Sequence, residues 1–410
     1  MRRFKLNIKE IFIIICCLVF YFQEILQRKV QLLSLFDEVL VVFLLILYII
    51  RLTNTKRINK NNLRIIILLM LLILVGIMGN RIHRYQLNYK PIILDIFSTC
   101  KVFIMCVTAN SFMNSNIKKE RIIHILATIT RIIVLIATVC CLISLVKNIG
   151  MSKGEIRYGI RSFSFIYSNP GMFAMSIYMY LLIQTMDLKY NSSSLKRKFF
   201  IVLTILVWIS TLRTRGFIFI LIYIIMYINY ILGKKIKIKW YWVPIILIIS
   251  LLIAKSSFYK YFGEISSSAR KVFLFTSIKV AKDFFPIGAG FATFGTDMAA
   301  KYYSRLYYKY DFDIIHGLDP RNPIFAHDTY WPAILGQFGI IGFILVLYIV
   351  YNSFHLIYES SKENNYNRFM SWFIIIVLLG SSIPAAIFFH FSTVGLIFMM
   401  PLMDDKENDV

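Results

Sequence analysis

From Leu63 to Gly79 the chain reads LRIIILLMLLILVGIMG, with one charged residue, Arg64, at its edge. Such a run has no place on a soluble surface. It approaches the roughly 20 apolar residues that a helix needs to cross a hydrocarbon core of about 30 Å. In lipid the segment must satisfy its own backbone groups, which a helix does. Similar runs recur along the whole sequence, at 9–27, 33–50, 63–79, 92–113, 122–147, 164–186, 199–212, 216–232, 240–255, 329–352, 370–384 and 387–403. The last two can equally be one helix broken around Pro384. The expected fold is all-α and integral to a membrane. It is a polytopic bundle of about 12 transmembrane helices with one large, partly helical extracytoplasmic loop. Three regions follow: 1–255 with the first nine helices, 256–328 as the loop, and 329–410 with the remaining helices and a tail.

Composition agrees. Apolar residues make up 58% of the 410, charged residues 16%, and mean hydropathy is +0.69. The formal net charge of +25 raises nucleic acid as a partner. The plainer source is the loading of cytoplasmic loops with Lys and Arg, and nucleic acid is not expected. Cys16, Cys17, Cys100, Cys106, Cys140 and Cys141 all lie in apolar stretches. That argues against a disulfide framework and against a Cys-ligated metal; no metal is expected. Arg2, Arg3 and Lys5 precede the apolar run 11–22, and no small-residue cleavage site follows. The segment reads as a retained first helix. Abundant Lys, Asn and Ile suggest an AT-rich bacterial genome.

Orientation follows from charge. Arg51, Lys56, Arg57 and Lys60, then Lys118, Lys119 and Arg121, then Lys196, Arg197 and Lys198, then Lys234, Lys235, Lys237 and Lys239 fall in alternate short connections. These read as cytoplasmic, together with both termini. The acidic tail with Asp404, Asp405 and Glu407 is placed there too. The connections 80–91, 148–163, 213–215 and 256–328 are then outside. In the long one, 270–285 has the pattern of an amphipathic helix stopped by Pro286, Gly288 and Gly290, and 301–310 is dense in tyrosine.

The outer side is rich in arginine, against that rule: Arg157 and Arg161, Arg213 and Arg215, Arg270 and Arg305. Guanidinium forks match phosphate oxygens. The helix before Arg213, 199–212, spans roughly 21 Å at 1.5 Å per residue, which is shorter than the bilayer core. A charge at that depth commonly faces a cavity and marks function; snorkelling to headgroup phosphates is the alternative. His327 and Asp328 stand where the chain returns to the membrane. A neutral imidazole there can act as general base toward a sugar hydroxyl, and Asp328 can cap the next helix. Taken alone, an interfacial His beside Tyr330 and Trp331 is the plainer reading. The tyrosines of 301–310 suit sugar stacking and the headgroup region equally. His83, His124, His316, His355 and His390 show no partner pattern. Gly288-Ala-Gly290 lacks the context of a nucleotide loop.

Four stretches taken in order resemble the O-antigen ligase and polymerase superfamily. They are FSFIYSNPGMFA at 163–174, with Asn169; STLRTRG at 210–216; FPIGAGFATF at 285–294; and AHDTYWPAILGQFGIIG at 326–342. Together they cover residues 160–345; the first 150 residues match only in hydropathy. The resemblance implies a metal-independent glycosyltransferase, without a cofactor, that uses undecaprenyl-pyrophosphate-linked glycans in a bacterial cytoplasmic membrane. It implies that Arg213 or Arg215 and Arg270 clamp the pyrophosphate and that His327 activates the acceptor hydroxyl. Arg157, Arg161, Asn169, Asp328 and Tyr330 become candidate glycan or phosphate contacts. Asp328 stands where the family commonly has Asn, so its role is sugar binding or tuning of His327. A flippase and a chain-length regulator are the protein partners such a pathway implies.

Members of that superfamily are polymerases or ligases, and the function expected here is a polymerase of a capsule, exopolysaccharide or O-antigen. The alternatives are a ligase that moves finished glycan to another acceptor, or a flippase for the lipid-linked unit. No inverted repeat of the transporter kind is visible. The long loop reads as the lid of an outward-facing anion site.

Overall fold

A computed structural model describes residues 6–113, 117–157, 159–190, 194–230, 268–359 and 364–403. The apolar run 240–255, the cations Lys234, Lys235, Lys237 and Lys239, the start of the long loop and the acidic tail lie outside these residues, as do Arg2, Arg3 and Lys5.

The described chain is almost wholly helical. Helices α1 (Ile8–Lys29), α2 (Phe36–Thr55), α3 (Lys60–His83), α4 (Tyr89–Met113) and α5 (Lys119–Val146) run up and down. A two-residue hairpin, β1 (Ile156–Arg157) and β2 (Ile160–Arg161), follows, then α6 (Pro170–Tyr190), α7 (Leu195–Ser210) and α8 (Thr214–Tyr230). The long loop contains α9 (Ala269–Asp283), α10 (Asp297–Lys301) and α11 (Arg305–Lys309). The chain closes with α12 (Tyr330–Glu359), α13 (Asn365–Ser382) and α14 (Phe391–Met399). Among the described residues five segments are long and apolar enough to cross a membrane: Gln31–Thr55, α3, α4, α5 and α12. The protein is thus an all-α, membrane-embedded chain.

Local sequence sets the boundaries. Asn59, Ser194, Ser268 and Asn364 cap their helices by accepting from a backbone N–H two or three residues on, the role short polar side chains fill best. The amphipathic helix expected at 270–285 forms as α9, which ends before Pro286. The expected run 199–212 is Leu195–Ser210, 16 residues, or about 24 Å. It remains short for a bilayer. Around Pro384 the chain breaks, so α13 and α14 are separate.

In the bundle, α12 packs on α3 and α9, α2 on α4, α5 on α6 and α7, α8 on α13, and α14 on α4. One apolar core runs through these helices, and a second, smaller one lies within the loop around Phe273, Phe294, Tyr307 and Phe312. The two ends of the bundle differ. At the end away from the loop, Asp187 is buried and pairs with Arg131, Arg197 and His124. The six cysteines are free and buried or half-buried, so they act as small apolar packing groups.

The loop is wedged into the bundle between α3, α4 and α12. Asn80 grips its backbone from both sides: Nδ2 donates to Phe291 O at 2.9 Å and Oδ1 accepts from Phe291 N–H at 2.8 Å. Asp95 Oδ2 accepts from Ala292 N–H at 2.7 Å. α12 opens to admit the wedge. Gly339 leaves helical geometry with φ +60, and carbonyls freed there accept from Ala289 and Gly290 at 3.1 and 2.8 Å. Before this break the α12 side chains are covered by protein. After it Ile340, Ile341, Ile344 and Leu347 form an exposed apolar stripe that suits lipid.

Candidate functional site

The sequence-read residues fall into two groups at the loop end of the bundle. The first is built where the loop meets α12. Tyr307 Oη accepts from Gly295 N–H at 3.0 Å and donates to Ala326 O at 3.4 Å. This clamp brings the start of α10 beside residue 327. His327 Nε2 lies 3.6 Å from Asp297 Oδ1. His327 Nδ1 is buried with no hydrogen-bond partner. On the next residue, Asp328 Oδ2 accepts from Arg270 Nη2 at 3.3 Å. A histidine–carboxylate pair and an arginine–carboxylate pair therefore stand on consecutive residues. Burial pushes the Tyr307 phenol well above its usual range, so its hydroxyl keeps the proton it donates.

The second group surrounds the start of α6. Asn169 Oδ1 accepts from the N–H groups of Gly171 and Met172 at 2.9 and 3.1 Å. A Cβ on Gly171 would lie 3.9 Å from Arg213 Cζ, so the guanidinium rests against this helix start. The cap takes the N–H groups of Gly171 and Met172, so what favours an anion there is the guanidinium together with the positive end of the helix. Arg157 reaches back to the same turn, donating to Leu212 O at 3.4 Å and pairing with Glu155 at 3.3 Å. Arg215 lies half-buried in the first turn of α8, and Arg161 is exposed on β2. The end of α13 joins the two groups. A Cβ on Gly380 would be 3.0 Å from Phe219 of α8, and Ser382 Oγ accepts from Trp331 Nε1 at 3.0 Å.

One expectation needs correction. Tyr330 is fully buried, with its ring 4.9 and 5.0 Å from those of Phe388 and Phe389. It packs the core and offers no face to a glycan. In the tyrosine-rich stretch Tyr307 is buried and Tyr302, Tyr303 and Tyr310 are half-buried. Tyr303 donates to Leu318 O at 3.0 Å, Tyr310 to Asp283 at 2.7 Å, and Tyr307 forms the clamp. Tyr308 is 53% exposed and is the most open of these rings.

Sequence reading passed over other polar residues. Asp297 is one. Beneath the site, Lys101 Nζ pairs with Asp37 Oδ2 at 2.6 Å and with Glu38 Oε1 at 3.6 Å, and Gln23 Nε2 donates to Asp37 Oδ1 at 2.9 Å. Asp297 is within electrostatic range of Glu38 and of His390. The signal was available: Lys101 and Asp95 are charges inside an apolar run, which mark polar interiors. Among the described residues no group of three or more His, Cys, Asp or Glu is placed to hold a metal.

Comparison with family models, curated proteins and solved structures returns no match.

Proposed function

We propose that the chain is a glycosyltransferase that joins undecaprenyl-pyrophosphate-linked oligosaccharide units on the outer face of a bacterial cytoplasmic membrane. The reading includes a bundle of about 12 spans with cytoplasmic termini, as the alternation of basic loops suggests. The observation that carries it is the adjacency of His327, facing Asp297, and Asp328, bound by Arg270. An imidazole suits removal of a proton from a sugar hydroxyl. Guanidinium groups suit the negative charge that grows on a departing pyrophosphate, most of all where water is scarce. Arg270 would exchange Asp328 for a phosphate oxygen. Arg213 and Arg215 supply further positive charge at the same end, beside the Asn169-capped start of α6. The donor carries its own leaving group, so no nucleotide site is required.

The test is elongation by purified protein supplied with a lipid-pyrophosphate-linked oligosaccharide. The wild type should yield a ladder of longer glycans. His327→Ala and Arg215→Ala should cut it to a small residual rate while expression stays intact. A normal ladder from either variant removes that residue from the mechanism. Transfer only to an added acceptor would make the enzyme a ligase, and movement of the lipid without any new glycosidic bond would make it a flippase.

A further inference from the structure

We infer that Asp297 is the positioning residue for His327, and that Nδ1 of His327 is the atom that takes the proton. The inference rests on the glycosyl-transfer reading above. The two ring nitrogens have different surroundings. Nε2 faces the Asp297 carboxylate at 3.6 Å, so Nε2 carries the hydrogen in the neutral ring. The lone pair is then on Nδ1. That atom is shielded and has no partner within the fold, so it is the ring's unengaged acceptor, and substrate entry must uncover it for the acceptor hydroxyl. The 3.6 Å separation is a few tenths beyond a hydrogen bond, and catalytic hydrogen bonds commonly close when substrate binds.

Both members of the pair are fixed through their backbones. Thr296 is almost fully buried. It caps α10 by accepting from Ala299 N–H at 3.4 Å, and it also accepts from Gln337 Nε2 at 3.2 Å. Gln337 Nε2 donates in turn to Asp95 Oδ2 at 2.8 Å. Asp297 is therefore placed by α12 and α4 through its neighbour. On the other side, the Tyr307 hydroxyl ties residue 295 to residue 326, which fixes the approach of 297 to 327. Loop residues braced on both flanks have the preorganisation that orientation-dependent catalysis needs.

The step balances. The acceptor hydroxyl gives its proton to Nδ1 as its oxygen attacks the anomeric carbon. A carbon–oxygen glycosidic bond forms while the bond from that carbon to the pyrophosphate oxygen breaks, and the electron pair leaves with the lipid pyrophosphate. Asp297 stabilises the imidazolium that results. The side chains are 44% and 61% exposed as a whole but Nδ1 is shielded, so the imidazolium gives its proton to water while the site is uncovered for product release, and the neutral ring returns.

The experiment measures steady-state elongation by the full chain in proteoliposomes, with lipid-pyrophosphate-linked oligosaccharide as donor. Asp297→Asn should lower kcat by about 10²-fold, the scale of one general-base contribution, with KM within about twofold. Asp297→Glu should restore part of the loss. Asp297→Asn combined with His327→Ala should be no slower than His327→Ala alone, because residues that act as a unit are not additive. A wild-type kcat in Asp297→Asn, a change confined to KM, or multiplicative losses in the double variant would each overturn the pairing while leaving the transferase reading in place. An inactive wild type would overturn both.

Discussion

At the scale of single residues, one hydroxyl does the most to shape the site. Tyr307 is fully buried, and its Oη serves two backbone groups on either side of the Asp297–His327 approach. Tyr307→Phe removes one oxygen and leaves Gly295 N–H and Ala326 O unpaired. A buried group left unsatisfied costs about 1–3 kcal/mol, so the detergent-solubilised variant should melt several degrees lower than wild type. An unchanged Tm would show that these two bonds do not hold the loop. The arginines stood out in the sequence because cations are uncommon on the outer side, whereas His327 and Asp328 drew notice through the resemblance and their place at the return to the membrane. Asp297 did not. A lone acid in a loop has no spacing or pattern, and its significance comes only from the turn that carries it to residue 327. The tyrosines stayed open between two readings for a related reason: density in the sequence does not say which rings face inward.

Elements add a different constraint. Gly288 has φ +75, and a Cβ built on it would sit 2.3 Å from Gly339 N. Gly339, with φ +60, faces it across the break in α12. Gly159, in the hairpin turn, has φ +79 but nothing within 4 Å of a built Cβ. The two positions separate backbone strain from collision. Gly159→Ala should cost only about 1–2 kcal/mol, the left-handed penalty alone. Gly288→Ala carries that penalty and must also push the wedge out of α12, so the yield of folded protein should fall much further. Equal effects at both sites would mean that the wedge tolerates displacement. The apolar runs, the amphipathic helix at 269–283 and its stop at Pro286 were readable, since each is a local periodicity or a local breaker. Docking of that stop against α3 was not readable, because Asn80 and Phe291 meet across 211 residues of chain.

For the molecule as a whole, the Lys101–Asp37 pair joins α4 to α2 within the bundle, with side chains only 7% and 2% exposed. Removing one partner leaves a buried charge uncompensated, a loss of about 3–5 kcal/mol, whereas replacing both by apolar groups is often neutral. Lys101→Met should therefore destabilise the bundle strongly, and Lys101→Met with Asp37→Leu should recover most of the loss. A double variant as unstable as the single one would show that Glu38, not Asp37, is the partner that matters. The wedge at 288–292 also decides what kind of part the long loop is. It is seated in α3, α4 and α12 at once, by Asn80, Asp95 and the carbonyls at the α12 break. A hatch needs one free edge and one hinge, and this stretch has its inner edge bolted to three beams. Any movement of the long loop must therefore pivot about this stretch and cannot lift it away.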